Sequence, residues 1–401
     1  LLSTRSAAVV RATLPAVREH GTAISAAFYE SMFAAHPGLL NLFNRGNQAN
    51  GEQRRALAGS VVAYAEHLLG EGKPGIDAVV GRIAHKHASL GIRPEQYTVV
   101  GKHLIGAVGE VLGDAVTPAV AAAWEEVYWL FAVRLIAAET RLYQQHGVDP
   151  ADELPRWRVT GRRQEAEDVV SLRLSPLEGP VPQHLPGQYV TVAVDLPDGG
   201  RQARQYTISH AAGNSTLRIT VRKVRGTPDG VVSGILTSQV RAGDELRVSR
   251  PFGDAVLDEG TEPLLLASAG IGITRTAALL EHVARHQPGR EVLVVHAERE
   301  PGRYALADHI EHYGAQLASF RHLVFFDEDA PSADQRGPVR PDEIELPPGV
   351  TAHLCGPIGF MRDLRTSLRI RGVPAERIHY EVFGPDLWAT DAADLPAPAA
   401  R

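Results

Sequence analysis

Through the first third of the chain, apolar residues recur every three to four positions, in long runs such as AAAWEEVYWLFAVRLIAAETRLYQQHG that close on a glycine. That period is the period of a helix and glycine is its usual stop, so residues 1–147 are expected to be all-α. From Trp157 the pattern shortens to alternating runs, VVSLRLS, QYVTVAV, RQYTISH, TLRITVRKV and DELRVS, parted by Pro/Gly turns. Period two predicts an antiparallel β-barrel or sandwich over 153–258. From Glu262 continuous apolar runs, PLLLASAG, EVLVVHAE, HLVFFDE and AHLCG, alternate with helical segments, which predicts a parallel α/β sheet over 262–390. The expected fold is therefore multidomain, α then β then α/β. The acidic, proline-containing stretch 148–157 makes the first join, and 258–263 the second.

Within the helical third, GRIAHKHASLGI carries two histidines. On a helix beginning near Ile76, Val80, Ile83, Ala84 and His87 share one face, whereas His85 lies about 200° away beside Gly81 and Arg82. His87 is thus placed for buried chemistry, either as a ligand or as a hydrogen-bonded core residue. Leu135, Glu139 and Leu142 follow at i, i+4 and i+7, so a carboxylate falls on a face that otherwise reads as buried. A buried charge requires a partner.

The later segments contribute ligand-like patterns. Arg204, Gln205, Tyr206 and Thr207 lie on one extended run after Pro186-Gly187-Gln188-Tyr189, offering charge, a ring and a hydroxyl to a planar, phosphate-bearing molecule. Gly230-Val231-Val232-Ser233-Gly234 opens a short helix whose free amides suit phosphate. Gly270-Ile271-Gly272-Ile273-Thr274 stands between a strand and a helix, where glycines let backbone approach a dinucleotide pyrophosphate. Cys355-Gly356-Pro357 ends another strand and sets a second glycine turn on the same sheet edge.

Composition narrows the classes. Hydrophobic residues at 44% and charged residues at 22% in 401 positions describe an ordinary globular protein, and a net charge of -6 without basic runs argues against nucleic acid. No stretch approaches a spanning length, and the opening residues, broken by Arg5, Arg11 and Pro15, lack a signal-peptide core. A single cysteine, Cys355, permits no intrachain disulfide. A cytoplasmic location is expected.

The motifs Arg204 to Thr207, Gly270 to Thr274, Cys355 to Pro357 with Gly359-Phe360-Met361, and Tyr380-Glu381-Val382-Phe383-Gly384-Pro385 resemble the flavin and nicotinamide modules of the ferredoxin reductase superfamily. With Phe28-Tyr29-Glu30-Ser31-Met32-Phe33, Leu42-Phe43-Asn44, Gly51-Glu52-Gln53-Arg54, Ala84-His85-Lys86-His87 and Pro94-Glu95-Gln96-Tyr97 ahead of them, nearly the whole chain resembles the bacterial flavohaemoglobins, which are nitric oxide dioxygenases. The resemblance implies haem b ligated by His87, with Tyr97 and Glu139 bracing that histidine. It implies a distal pocket of Tyr29, Gln53 and Leu57, with Phe43 wedging the haem. FAD would rest on Arg204, Gln205, Tyr206 and Thr207 with Tyr189, Ser233, Val382, Phe383, Gly384 and Pro385. NAD(P)H would meet Gly270, Ile271, Gly272, Ile273, Thr274 and Arg275 with Cys355, Gly356 and Pro357. Lys86 and Glu381 match positions near the haem–flavin junction, where charge tunes electron transfer.

The implied activity passes NAD(P)H electrons through FAD to haem, where oxygen converts nitric oxide to nitrate, in a monomer. Two alternatives share parts of this inventory: a haem-based oxygen or redox sensor, and a general flavin reductase. One position departs from the family. Proline commonly follows the Gly-x-Gly-x-Thr turn, and here Arg275 stands there. Arg299 and Arg303 suit a 2′-phosphate while Glu298 and Glu300 oppose one, so the residues alone leave NADH and NADPH open.

Overall fold

The computed structural model describes residues 2–43, 52–71, 76–196, 198–226, 229–332 and 336–383, with the side chains of Glu52 and Gln53 outside the described set. The helical segment consists of α1 (Thr4–Ala35), α2 (Glu52–Leu68), α3 (Ile76–Leu90), α4 (Pro94–Leu112) and α5 (Pro118–His146). Local chemistry sets its ends. The Ser3 hydroxyl accepts from the Ser6 amide, Thr117 caps α5 through the Val120 amide, and Gly147 stops α5 in the left-handed conformation at φ 59°. Buried Val10, Leu14, Ile24 and Phe28 of α1 join Trp124, Val127, Phe131 and Leu135 of α5 in one core.

Two sheets follow. The first contains β1 (Arg156–Ala166), β2 (Val169–Pro176), β3 (Tyr189–Asp195), β4 (Arg201–Thr207), β5 (Leu217–Arg222) and β6 (Glu245–Val248), in the order β4-β3-β6-β1-β2-β5. An antiparallel bridge between Ile208 and Ile219 links its two edge strands, which closes the sheet as a barrel does. A short helix, α6 (Val231–Ser238), follows β5. The second sheet holds β7 (Leu264–Ala269), β8 (Val292–Glu298), β9 (Phe320–Phe326), β10 (Thr351–Cys355) and β11 (Ile378–Glu381), all parallel and ordered β11-β10-β7-β8-β9. Helices α7 (Ile273–His286), α8 (Ala307–Gly314) and α9 (Ile358–Ile370) alternate with its strands.

The α, β and α/β succession is the one the hydrophobic pattern predicts. One element escapes that pattern: β1, whose sequence RWRVTGRRQEA buries only Trp157 and Val159 fully and otherwise turns charge outward. By contacts the chain divides into two units. One comprises Leu1–Glu153 with Asp195–Ala203, and the other carries both sheets. Among the described residues no helix is long and apolar enough to cross a membrane.

Candidate functional site

In the helical unit, packing of α3, α4 and α5 brings together three residues far apart in sequence. The Oε1 atom of Glu139 lies 2.8 Å from Nδ1 of His87 and 2.5 Å from the hydroxyl of Tyr97, which itself is 3.0 Å from that Nδ1. Glu139 is 1% exposed, as its place on the apolar face of α5 predicts. A carboxylate can only accept, so Nδ1 of His87 carries the proton and Nε2 keeps its lone pair. No described residue bonds Nε2, and the His87 side chain remains 33% exposed. A tautomer fixed on one side and a lone pair bare on the other fit an imidazole that ligates a metal.

The brace is itself held. Tyr128, which the sequence reading did not single out, donates through its hydroxyl to the Tyr97 carbonyl. Burial, then the charge of Glu139, raises the pKa of Tyr97 far above its ordinary value, so its phenol stays a donor. Among the described residues Oε2 of Glu139 has no hydrogen-bond partner, so both bonds to the carboxylate fall on Oε1. His85, also half-buried, is outside this network.

Tyr29 is buried within an aromatic cluster: its ring lies 5.6 Å from Phe43 edge-on, 5.6 Å from Phe33 and 4.7 Å from Phe28. Leu57 packs against the same core. The side chain of Gln53 lies outside the described residues. Lys86 is half-buried, one residue before His87.

In the second unit, the chain runs β7, β8, β9 to one side and then returns to place β10 on the other side of β7. Ligands of open α/β sheets settle at such a reversal, outside the carboxyl ends of the strands. Both glycine turns lie there. A Cβ on Gly272 would sit 2.2 Å from the Cys355 carbonyl oxygen, and one on Gly270, at φ +57°, would meet Arg222. The two turns therefore touch backbone to backbone, and the Gly270–Gly272 turn leads straight into α7, with the Ile273 amide bonded to the Gly270 and Ile271 carbonyls. Thr274 folds its hydroxyl onto the Ile271 carbonyl, Ile273 is buried, and Pro357 is exposed at the rim. Burial pushes the Cys355 thiol up to about 12, so it stays protonated.

On β4, Arg204 and Tyr206 share one face and are half-buried, while Gln205 and the buried Thr207 take the other. Tyr189 begins β3, its ring against Gly253, and the Ile208 amide donates to Gln188, lacing the two segments together. Ser233 accepts from the Val224 amide and donates to the Gly230 carbonyl, so its hydroxyl shapes the turn and its backbone amide, in the first turn of α6, remains for phosphate. Glu381 pairs in register with Cys355, and Val382 and Phe383 follow, the latter 46% exposed. Gly384 and Pro385 lie outside the described residues. A cationic, aromatic strand face and an amide-bearing turn suit the ring and pyrophosphate of a flavin dinucleotide.

A buried ion network joins barrel and parallel sheet. Arg222 holds Glu298 at 2.6 Å, and Arg303 holds Asp168 at 2.6 Å. Arg303 is thus already engaged, by a residue 135 positions away that no local pattern reveals.

The globin family profile matches residues 26–135. Over 97% of this chain and the whole of the relative, it is 38% identical to a flavohemoprotein of Rhizobium meliloti, and over 96% and 99% it is 40% identical to one of Bordetella pertussis. A flavohemoglobin of Malassezia yamatoensis, solved with bound FAD and heme, superposes with a TM-score of 0.88 at 33% identity, covering 96% of this chain and 100% of that one. The FAD/NAD binding domain of a Vibrio cholerae nitric oxide dioxygenase matches 58% of this chain and 100% of its own at 32% identity, TM-score 0.55. A globin segment ahead of a flavin and nicotinamide reductase, matched at this identity over almost its full length, places the chain in the flavohaemoglobin family.

Proposed function

We propose that the protein is an NAD(P)H-dependent nitric oxide dioxygenase whose haem, FAD and nicotinamide modules occupy 1–147, 153–258 and 262–390. His87 would hold a haem that would supply the redox chemistry joining oxygen to nitric oxide as nitrate, and Arg204 to Thr207 would hold an FAD able to pass the electrons of NAD(P)H on singly. The contact of Glu139 with Nδ1 of His87 carries the reading. A carboxylate on that proton gives the imidazole partial imidazolate character, which makes it a stronger donor to iron than a histidine facing a carbonyl and favours cleavage of an O–O bond. A simple oxygen carrier has no use for that push.

Other residues follow from their chemistry. Tyr29 offers a hydroxyl donor on the distal side, and the Phe28, Phe33 and Phe43 rings around it exclude water. Arg204 sets a positive charge for pyrophosphate, Tyr206 a ring for the isoalloxazine edge, and Thr207 a small hydroxyl. The turns at Gly272 and Gly356 receive the nicotinamide dinucleotide through backbone alone. The Vibrio cholerae relative, described as part of a nitric oxide dioxygenase, supports the activity.

The test is aerobic turnover of nitric oxide with NADH, following nitrate. One nitrate per nitric oxide, lost in His87→Ala while NADH still reduces ferricyanide, is the expected result. Undiminished nitrate formation by His87→Ala would refute the reading.

A further inference from the structure

Arg275 heads the largest fully buried side chains, at 1% exposure. It stands third in α7, directly behind the Gly270–Gly272 turn. Its Nη2 donates to the Ala255 carbonyl of the barrel at 2.6 Å and to Nδ1 of His353 on β10 at 3.3 Å. Among the described residues its Nε and Nη1 have no hydrogen-bond partner. A methyl on Gly187 would lie 3.5 Å from Nε, so the guanidinium lies beside Gly187, whose neighbour Gln188 accepts through its carbonyl from the Ile208 amide, next to Thr207.

The groups facing it are Glu381 on β11, Cys355 and His353 on β10, and Asp254 beside Ala255. His379 stacks on His353 at 4.8 Å. Burial first, then the charge of Arg275, drives the His353 pKa well down, so this ring adds no charge, and Cys355 stays a thiol. Only Glu381 and Asp254 oppose the guanidinium, and among the described residues neither forms a hydrogen-bonded pair with it. Arginine stays charged even when buried. A fixed, incompletely neutralised cation thus lies where the flavin strand meets the nicotinamide crevice. It is costly to fold in and favours whatever adds negative charge beside it.

We propose that Arg275 is a positioning residue that raises the tendency of the bound flavin to accept electrons from NAD(P)H, with Glu381 acting against it. In that step the nicotinamide C4–H bond breaks with its electron pair, an N5–H bond forms on the isoalloxazine, the nicotinamide is oxidised, and the flavin gains one negative charge. The proposal rests on FAD binding along Arg204 to Thr207. Proline at this position would supply no charge, so the effect belongs to this chain's departure from its family.

The test is anaerobic equilibration of FAD-loaded wild type, Arg275→Met, Arg275→Lys and Glu381→Gln with fixed NADH/NAD+ ratios, reading flavin absorbance and FAD content. Arg275→Met should lower the reduced-to-oxidised flavin ratio roughly tenfold, as expected for one charge at intermediate dielectric. Arg275→Lys should fall between wild type and Met, since a buried lysine loses its proton more readily than arginine, and Glu381→Gln should raise the ratio. An unchanged ratio in Arg275→Met with FAD bound would overturn the proposal. If Arg275→Met fails to fold, a Glu381→Gln ratio that falls or stays level overturns it as well. Absence of FAD from wild type would instead defeat the flavin reading beneath it.

Discussion

The pocket around His87 and the crevice around Gly272 work by opposite means. The first is made of side chains: His87, Tyr97 and Glu139 come from three helices and meet through hydrogen bonds of 2.5–3.0 Å. The second is made by omitting them, since Gly272 and Gly356 let two turns pack backbone to backbone. Chemistry that requires an electronic push on a metal needs a charge held at one atom. Recognition of a cofactor shared by many enzymes needs amides and space. Substitutions should therefore fail differently in the two regions, by altered charge in the first and by added volume in the second.

The largest expected effect is His87→Ala, which removes the ligand atom: haem content and nitric oxide turnover should be lost, while NADH reduction of FAD survives. His85→Ala should change neither. Loss of the haem Soret band in His85→Ala instead would reverse the assignment on α3. Next comes Gly272→Ala, whose methyl must displace the Cys355 carbonyl. Overpacking against backbone costs about 1–3 kcal/mol, so flavin reduction by NADH should slow roughly ten- to a hundredfold with FAD and haem content unchanged. A normal rate in stopped-flow spectra would show that the crevice is not a tight backbone contact.

Tyr29→Phe keeps the aromatic cluster and deletes one donor. A hydrogen bond to a partly charged acceptor is worth roughly 1.5–3 kcal/mol, so oxygen dissociation should quicken about ten- to a hundredfold. An unaltered dissociation rate would take Tyr29 out of the distal pocket. A smaller effect concerns cofactor choice. Arg303 is held by Asp168, Glu298 faces the end of β8 in the grip of Arg222, and Arg299 leans on Glu328 at 3.9 Å. A 2′-phosphate would have to break an ion pair and sit beside a carboxylate, so NADH should reduce the flavin about tenfold more efficiently than NADPH. Equal kcat/KM values would show that the network opens without penalty.

What the sequence discloses differs between the two regions. Helical period alone put His87 and Glu139 on buried faces, and the misplaced carboxylate signalled a partner before any geometry was known. The glycine turns were legible because their strand-to-helix context is local. Strand β1 was not, because its outward face is charged over most of its length. The Arg303–Asp168 pair was hidden for another reason: ion pairs between distant segments leave no periodic trace, and a free arginine looks the same in sequence as an engaged one. Arg275 was visible only as a departure. That it would be buried, with two donors unpartnered among the described residues, depends on the barrel loop whose Ala255 carbonyl it meets.

The central claim is that the Glu139 charge reaches the iron through His87. The direct measurement is the ferric/ferrous midpoint potential of wild type and Glu139→Gln, with the iron–histidine stretching frequency beside it. Glutamine keeps the size and removes the charge. A buried charge acts at low effective dielectric, while an exposed one is screened. A clear rise in potential and a weaker iron–histidine bond are expected in Glu139→Gln; indistinguishable values in both measurements would contradict a charge acting on the iron through His87.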